Sequence, residues 1–260
     1  MLIRTGAVAS LLFALSTNAL ADKLVVGANI GNVPWEFQDA SGAFVGFELD
    51  LAREIGARLN KSVEVANIPF NGLFSAVQAG RIDIAVSSIT ITEKRLGSVA
   101  FVQPYYDSAQ SLTVLSKSTA SGLHDMDDKI IGVDTGSTGD MWTTSNRDRH
   151  GFADIRRFEG LAPAMLDLQT GRIDGYISDI PSLEYYIKDK AHFKVIERIE
   201  TGERYSMMLA KGSPLIGEVD AVITELKQEG FIARLHKQWF GTNPAETSST
   251  VMVTEQPAAR

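Results

Sequence analysis

Short apolar runs alternate along this chain with longer stretches in which apolar residues recur every third or fourth position. The first run, KLVVGANI at residues 23–30, is rich in β-branched side chains and predicts a strand. A helix is predicted next, because apolar residues recur every four positions from Leu51 to Leu59. Strands that alternate with helices in this way indicate an α/β fold built on a mostly parallel sheet.

The stretch over residues 82–106 shows where chemistry is expected. It opens with the apolar run IDIAV, which predicts a buried strand, and then turns polar at Ser87 and Ser88. Thr92 follows as a predicted helix N-cap, with Arg95 in the first turn. Helix N-termini attract anions and arginine binds carboxylates with two hydrogen bonds, so we expect a carboxylate-binding corner. The alternative is a capped surface helix with a solvated arginine.

The second half of the chain repeats the first. QAGRID at residues 78–83 is echoed by QTGRID at residues 169–174, 91 positions later, with five of six residues identical. At the same offset, the Ser-Ser pair that follows the first strand matches Ser178 and Asp179. Two similar lobes would face one another across a cleft, each with a strand that ends in small polar residues. The alternative is chance similarity between two helix-Gly-strand units.

The composition excludes several classes of function. The formal net charge is −7 over 260 residues, and the basic residues do not cluster. This dispersed acidic balance argues against nucleic acid and anionic membrane surfaces as partners. Cysteine is absent, and the four histidines show no metal-ligand spacing. We therefore expect no disulfide, no metal site and no cofactor.

Both ends of the chain are expected to lie outside the folded protein. Residues 1–21 are predicted to be a signal peptide, with Arg4, an apolar core from Ala7 to Leu15 and a small-residue cleavage site. The alternative is an uncleaved N-terminal anchor. Export through a signal peptide would make the mature protein periplasmic. Residues 244–260 are rich in Ser, Thr, Pro and Ala and are predicted to form a flexible tail.

Several ordered motifs resemble one known family. GFELDL at residues 46–51 is similar to the signature of the extracellular solute-binding proteins, family 3, which feed polar amino-acid ABC importers. The resemblance spans residues 23–243. Further motifs follow in the family's order, namely FNGL at 70–73, TITEKR at 90–95, PYY at 104–106 and WFG at 239–241.

The resemblance implies a two-lobed periplasmic-binding-protein fold of type II, with the ligand in the cleft between the lobes. Lobe 1 would comprise residues 22–106 and 206–243, and lobe 2 would comprise residues 107–205. Two crossing strands near residues 105–109 and 201–205 would form the hinge.

The resemblance also implies roles for individual residues. Arg95 matches the arginine that clamps the ligand α-carboxylate, with help from the Thr90 hydroxyl and the backbone at Ser88. Asp179 matches the acid that takes the α-ammonium group, and Phe70 matches an aromatic residue beside the ligand side chain. The alternatives are a turn or cap role for Asp179 and a core position for Phe70. The other expected contacts are small polar residues at strand ends and at a helix start in lobe 2: Ser87, Ser178, Ser137 and Thr138.

The side-chain pocket departs from the family pattern. Asn29 stands where relatives that take cationic side chains often have an acid, and Asn32 stands where an aromatic residue is common. Asp134 occupies a position that contributes to side-chain selection, and Trp35 adds a large ring near the mouth. These groups predict a polar or derivatised ligand, with opines and ectoine-like solutes among the candidates, unless each Asn is only a turn residue.

Two classes of function follow. The first is a monomeric, non-enzymatic capture protein that delivers its ligand to an inner-membrane ABC permease. The second is a periplasmic dehydratase acting on cyclohexadienyl acids, since such enzymes resemble this family. An enzyme would need a proton donor with a shifted pKa in the cleft, for which Asp179 and Asp134 are the candidates.

Overall fold

The computed structural model describes residues 22–259. Within this range the chain forms nine α-helices and twelve strands, which make two five-stranded sheets and the small β2-β3 sheet. The strands are β1 Lys23–Ala28, β2 Phe37–Gln38, β3 Phe44–Val45, β4 Ser62–Asn67, β5 Ile84–Val86, β6 Ala100–Phe101, β7 Tyr106–Leu115, β8 Ile130–Asp134, β9 Asp154–Phe158, β10 Gly175–Asp179, β11 Phe193–Tyr205 and β12 Met208–Leu209. The helices are α1 Phe47–Arg58, α2 Phe70–Gln78, α3 Glu93–Leu96, α4 Thr138–Ser145, α5 Arg147–His150, α6 Leu161–Gln169, α7 Ile180–Ile187, α8 Leu215–Gln228 and α9 Phe231–Phe240.

The first sheet has the strand order β4-β1-β5-β12-β6. Strand β1 lies between β4 and β5 and pairs in parallel with both, as the apolar runs predict. The apolar stripe of α1 packs against this sheet, and Leu51 and Ile55 are fully buried there. The helix therefore forms because its fourfold apolar spacing matches one buried face.

The second sheet has the strand order β11-β7-β10-β8-β9. Strands β10, β8 and β9 are parallel, whereas β7 runs antiparallel to both β10 and β11. In the first sheet, β12 is also antiparallel to its neighbours. The expected mostly parallel sheet is therefore corrected to two mixed sheets, because the strands that connect the halves return without a helical crossover.

The chain passes between the two sheets on one antiparallel pair of strands. At its start β7 pairs with the end of β11, with Tyr106 opposite Tyr205 and Asp107 opposite Arg204. Tyr205 also forms an isolated bridge with Thr90 of the first lobe. Both predicted hinge segments lie on this pair of strands, and their role as a hinge stays a prediction.

The C-terminal segment is packed rather than flexible, which corrects the expected tail. Ser249 is 7% exposed and its backbone N–H and hydroxyl donate to the Asp107 carboxylate at 2.8 and 2.5 Å. The buried Lys227 ammonium donates to the backbone oxygen of Met252 at 2.9 Å. Composition suggested disorder because few apolar residues are present, but the segment is held by hydrogen bonds to charged groups instead.

The part of the chain that the structure describes contains no helix with the length and apolar character of a membrane span. The predicted signal peptide, residues 1–21, lies outside the described residues.

Candidate functional site

A cavity of about 170 Å³ lies between the two lobes. Its walls come from segments that follow β1, β5, β8 and β10, so it lies beyond the carboxyl ends of parallel strands in both sheets. One buried water needs roughly 10–15 Å³ on this scale, so the space suits a ligand of on the order of ten heavy atoms.

Twelve of the thirteen residues predicted from the sequence line this cavity, and Trp35 is the exception. The twelve are Asn29, Asn32, Phe70, Ser87, Ser88, Thr90, Arg95, Asp134, Ser137, Thr138, Ser178 and Asp179. The structure therefore brings together residues that are up to 150 positions apart in the chain.

Arg95 is buried in the cavity wall, with 7% of its surface exposed. The Thr92 hydroxyl caps α3 by accepting the Arg95 backbone N–H at 3.2 Å, and this fixes where the side chain starts. The guanidinium donates to the backbone oxygens of Thr90 at 2.7 Å and Gly136 at 3.4 Å. Burial lowers the pKa of Arg95 to about 10, so the group stays charged at neutral pH. Arg95 is therefore not the solvated arginine of the alternative interpretation.

The Arg95 guanidinium contacts aromatic rings and leaves N–H donors unused. Its central carbon lies 5.5 Å from the Phe70 ring centre and 5.3 Å from that of Phe74. Among the described residues, no carboxylate lies within ion-pairing distance of it. A guanidinium has five N–H donors, and the two backbone contacts use only part of them. The remaining donors can serve an anionic group in the cavity.

Asp179 is the acidic counterpart on the other side of the cavity. It ends β10, and its carboxylate accepts from the Gln110 amide at 2.6 Å and the Ser88 hydroxyl at 3.1 Å. No ion pair within residues 22–259 includes it. Burial, together with the nearby Glu203 carboxylate, raises the pKa of Asp179 to about 7. A cation in the cavity would relieve this cost by favouring the ionised form.

The turn after β5 is held from outside the cavity. Ser88 has a φ of 43°, which a non-glycine residue adopts only at a cost, and its N–H donates to the Glu48 carboxylate at 2.9 Å. The Ser87 hydroxyl donates to Glu36 at 2.7 Å. Thr90 donates its hydroxyl to Glu203 at 3.1 Å. These contacts present the turn to the cavity in one conformation.

The predicted turn in lobe 2 opens α4. The Ser137 hydroxyl caps this helix by accepting the Asp140 N–H at 3.0 Å. The Thr138 hydroxyl lies 3.4 Å from that of Thr90, so the two lobes touch here. The Ser137 oxygen accepts one capping bond and the Thr138 hydroxyl accepts from the Gln110 amide at 3.4 Å, so both hydroxyls keep hydrogen-bonding capacity for a ligand.

Asp134 lies at the end of β8 and is only partly satisfied. Its Oδ2 accepts from the Tyr176 hydroxyl at 2.6 Å and the Ser178 hydroxyl at 3.2 Å. Its Oδ1 is buried and accepts no hydrogen bond from the described residues. Burial raises the pKa of Asp134 to about 6. The open oxygen can accept a hydrogen bond from a ligand.

The two asparagines differ in their surroundings. Asn29 follows β1 and lines the cavity. Asn32 donates to Glu36 at 3.0 Å and to the Ser88 hydroxyl at 3.1 Å, while its oxygen accepts from Ser182 at 3.3 Å. Asn32 is therefore part of the frame of the cavity as well as of its wall.

Trp35 is a core residue, which corrects its predicted place at the mouth of the cleft. It is 0% exposed and packs edge-on against Phe47, Tyr106 and Tyr205. Its indole N–H donates to the Ser182 hydroxyl at 2.9 Å. Burying a ring of this size stabilises the fold, and the single polar atom finds its partner in the facing lobe.

Sequence reasoning missed two residues on the crossing strands. Gln110 of β7 donates to Asp179 and to Glu203 of β11, the latter at 3.0 Å. Glu203 is 5% exposed and accepts from Thr90 as well. No local pattern marks these residues, because only the pairing of two distant strands brings them beneath the cavity.

The cavity therefore contains two charged groups that form no ion pair within the described residues. Arg95 offers N–H donors from one lobe, and Asp179 offers a carboxylate from the other. A small molecule with one anionic and one cationic end would satisfy both. Among residues 22–259, no group of His, Asp or Glu is arranged to hold a metal ion.

Comparison with known proteins places this geometry in a family. Residues 24–242 match the bacterial extracellular solute-binding proteins, family 3. The chain belongs to this family. This solute-binding protein is therefore extracytoplasmic. The predicted assignment to amino-acid ABC transport is confirmed for the family as a whole.

Relatives of this solute-binding protein bind different amino acids. It is 24% identical over 245 residues to "ABC transporter arginine-binding protein 1" of Escherichia coli, covering 92% of this chain and 98% of that one. It is 25% identical over 224 residues to "L-cystine-binding protein TcyJ" of Escherichia coli, covering 85% and 83%. A solved ancestral arginine-binding protein bound to arginine is 30% identical, with a TM-score of 0.80 over 85% of this chain and 100% of that one. The predicted two-lobed fold of type II is confirmed.

Proposed function

We propose that this solute-binding protein captures an amino acid or amino-acid-like zwitterion and delivers it to an inner-membrane ABC permease. The observation that carries the proposal is that Arg95 and Asp179 line one cavity from different lobes and form no ion pair within the described residues. Arg95 would clamp the α-carboxylate and Asp179 the α-ammonium group. Charge-assisted hydrogen bonds contribute about 1.5–3 kcal/mol each, so three or four of them support micromolar binding after ordering costs.

Asp134 supports a ligand whose side chain carries a hydrogen-bond donor. Its Oδ1 is buried and has no hydrogen-bond donor among the described residues, and Asn29 lines the same cavity from the other lobe. A short aliphatic side chain would leave that oxygen unsatisfied, which costs about 1–3 kcal/mol. Arginine and cystine, for which the two relatives are named, both offer such donors. Opines and ectoine-like solutes remain candidates on the same ground.

The proposal is tested by identifying the ligand and then removing the carboxylate anchor. Mass spectrometry of small molecules released from purified protein gives candidates, and calorimetry with amino acids and derivatives ranks them. Arg95→Ala is expected to weaken binding by at least about tenfold, since truncating one partner of a buried charge pair costs about 2–5 kcal/mol. Arg95→Lys is expected to restore only part of the loss, because lysine lacks the planar fork.

A matched control is Arg81→Ala, which removes an exposed arginine of the same lobe. We expect wild-type affinity from this variant. Wild-type affinity in Arg95→Ala would contradict the anchor role and with it the proposed binding mode.

A dehydratase acting on cyclohexadienyl acids is the second candidate. It is favoured by the raised pKa values of Asp134 and Asp179, since each could hold a transferable proton near neutral pH. Incubation with prephenate or arogenate distinguishes the two functions. Sustained formation of an aromatic product would establish an enzyme, whereas saturable binding without turnover supports the capture protein.

Three further features belong to the same proposal. Residues 1–21 would direct export and be removed, which sequencing of the mature N-terminus tests. The protein would act as a monomer, which light scattering tests. Lobe 1 would comprise residues 22–106 and 206–243, with residues 107–205 as lobe 2, and the hinge would lie near 105–109 and 201–205.

A further inference from the structure

Two fully buried glutamates hold the Ser87–Ser88 turn. Glu36 and Glu48 are both 0% exposed, and neither lines the cavity. Carboxylates are rarely buried completely without a cation or a full set of hydrogen bonds. Within residues 22–259, no ion pair includes either residue. Their burial therefore needs another explanation.

Glu48 is surrounded by hydrogen-bond donors. Both of its carboxylate oxygens accept the Ser88 N–H, at 3.1 and 2.9 Å. Its Oε1 also accepts the Tyr105 hydroxyl at 2.5 Å. Burial raises the pKa of Tyr105 well above its usual range, so the phenol keeps its proton. This donor set favours the ionised form of Glu48.

Glu36 is satisfied on one oxygen only. Its Oε1 accepts from the Ser87 hydroxyl at 2.7 Å and the Asn32 amide at 3.0 Å. No N–H or O–H of the described residues donates to its Oε2. The two carboxyl groups are neighbours, because the Glu48 charge, after burial, contributes to raising the pKa of Glu36. Ionised carboxylates only accept hydrogen bonds, so a proton on Glu36 Oε2 would give this unpartnered oxygen a bond to donate toward Glu48.

We propose that Glu36 and Glu48 are positioning residues that share one proton, and that the singly protonated pair fixes the Ser87–Ser88 turn and Asn32 for ligand binding. The inference rests on the proposed function, because the turn and Asn32 line the proposed ligand cavity. The pair holds Ser88 at its positive φ of 43°, from which the Ser88 hydroxyl reaches Asp179 at 3.1 Å.

In this arrangement the two carboxyl groups can hold one proton between them, neither none nor two. Without it, two adjacent buried carboxylates would repel each other, and no described residue forms an ion pair with either. With a second proton, Glu48 would lose the charge toward which Ser88 and Tyr105 donate. Tyr105 is the titratable group that contacts the pair directly, and Asp179 connects to it through the Ser88 hydroxyl. The proton belongs to the pair as a unit.

The proton can be observed without any ligand. Infrared spectra of protein with isotope-labelled glutamate separate protonated carboxyl groups from carboxylates. We expect a protonated-glutamate band at neutral pH in the wild type, its loss in Glu36→Gln and its retention in Glu64→Gln, an exposed control in the same lobe. Absence of the band in the wild type would overturn the proposal.

The stability of the folded protein should also depend on pH, in a direction that the pair sets. Burial, followed by the Glu48 charge, raises the pKa of Glu36 well above its usual range. The folded state then keeps a proton that the unfolded chain loses at about pH 4.5. The free energy of unfolding of the wild type therefore falls as pH rises from that value toward the folded-state pKa. Glu36→Gln cannot lose this proton, so its stability relative to the wild type should increase over that window. A constant difference would contradict a shared proton.

Binding of the tightest amino acid from the calorimetric panel then tests positioning. The Glu36→Gln amide can donate to Glu48 and accept from Ser87 and Asn32, so affinity should stay within about threefold, less than one hydrogen bond is worth. Glu48→Gln sets an amide N–H against the Ser88 N–H and should weaken binding by about tenfold or more. Equal affinities for these two variants would overturn the positioning role. If no amino acid binds the wild type, the proposed function fails, while the infrared and stability results still decide the shared proton.

Discussion

Arg95 and Asp179 are costly residues for the folded protein when the cavity holds no ligand. Each is removed from bulk water, and neither has an ion-pair partner among the described residues. Such groups are retained at functional sites because a ligand supplies the missing partner. Because the raised pKa of Asp179, about 7, lies within the physiological range, the charge of this residue changes with pH there.

Binding of the zwitterion should therefore weaken in mild acid. The ammonium group needs an ionised Asp179, which is mostly protonated below its pKa of about 7. Calorimetry is expected to show affinity falling by about thirtyfold between about pH 8 and about pH 5.5, at one decade per pH unit below the pKa. Asp179→Asn should bind weakly throughout and lose most of this dependence. A flat profile in the wild type would show that Asp179 does not receive the cation.

Asp134 should decide which side chains are accepted. Its buried Oδ1 awaits a donor, so Asp134→Ala should weaken ligands with a side-chain donor by about tenfold or more and leave other ligands within about threefold. A thermal-shift panel measures the ranking. Asp154→Ala, at an exposed acid of the same lobe, is the matched control. An unchanged ranking with a uniform loss would make Asp134 structural.

The sequence predicts the role of a residue where a short local motif defines that role. Thr92, the cap, and Arg95 three residues later can be read from a short stretch, and the structure places both as expected. Trp35 was misplaced because sequence reveals a large ring but not which way its loop turns. Gln110 and Glu203 were missed because their contact depends on the register of two strands that are 93 residues apart.

Elements with strong periodicity were predicted correctly, and elements held by polar contacts were not. The helix predicted from Leu51 to Leu59 corresponds to α1, which ends with Leu59 as its C-cap. The last three residues of the apolar run IDIAV form β5. The segment after residue 243 lacks an apolar pattern, so its order depends on particular acceptors and donors. Asp107 and Gln103 supply these at the start of the first crossing strand, and Lys227 supplies one from α8.

Deletion of residues 244–260 should lower the stability of the protein. It removes the Ser249 bonds to Asp107 and one acceptor of the buried Lys227 ammonium, whose pKa burial already lowers to about 8. We expect the free energy of unfolding to fall by about 2–4 kcal/mol, as hydrogen bonds to charged groups contribute about 1.5–3 kcal/mol each. Thermal and urea unfolding measure it. Deletion of residues 257–260 is the control, and equal stability of both deletions would contradict a structural role for the segment.

At the scale of the whole molecule, few direct bonds join the lobes across the cavity. Trp35 donates to Ser182 at 2.9 Å, and Ser88 donates to Asp179 at 3.1 Å. The Arg95 contact with the Gly136 oxygen is long, at 3.4 Å. Neutral hydrogen bonds contribute about 0.5–1.5 kcal/mol each and those of charged groups about 1.5–3 kcal/mol, so these contacts stabilise the closed arrangement only modestly. A ligand that contacts Arg95 in one lobe and Asp179 in the other would add to it.

Ligand binding should therefore close the lobes about the crossing strands. The ligand favours closure by as much as its contacts in the closed state exceed those in the open state, and contacts to both lobes exist only when closed. Small-angle X-ray scattering should show a smaller radius of gyration with saturating ligand than without it. Asp179→Asn keeps the fold and the carboxylate anchor but loses the charge in lobe 2, so at the same ligand concentration it should shrink less. An unchanged radius in the wild type, with binding confirmed by calorimetry, would mean that the lobes are already closed before the ligand arrives.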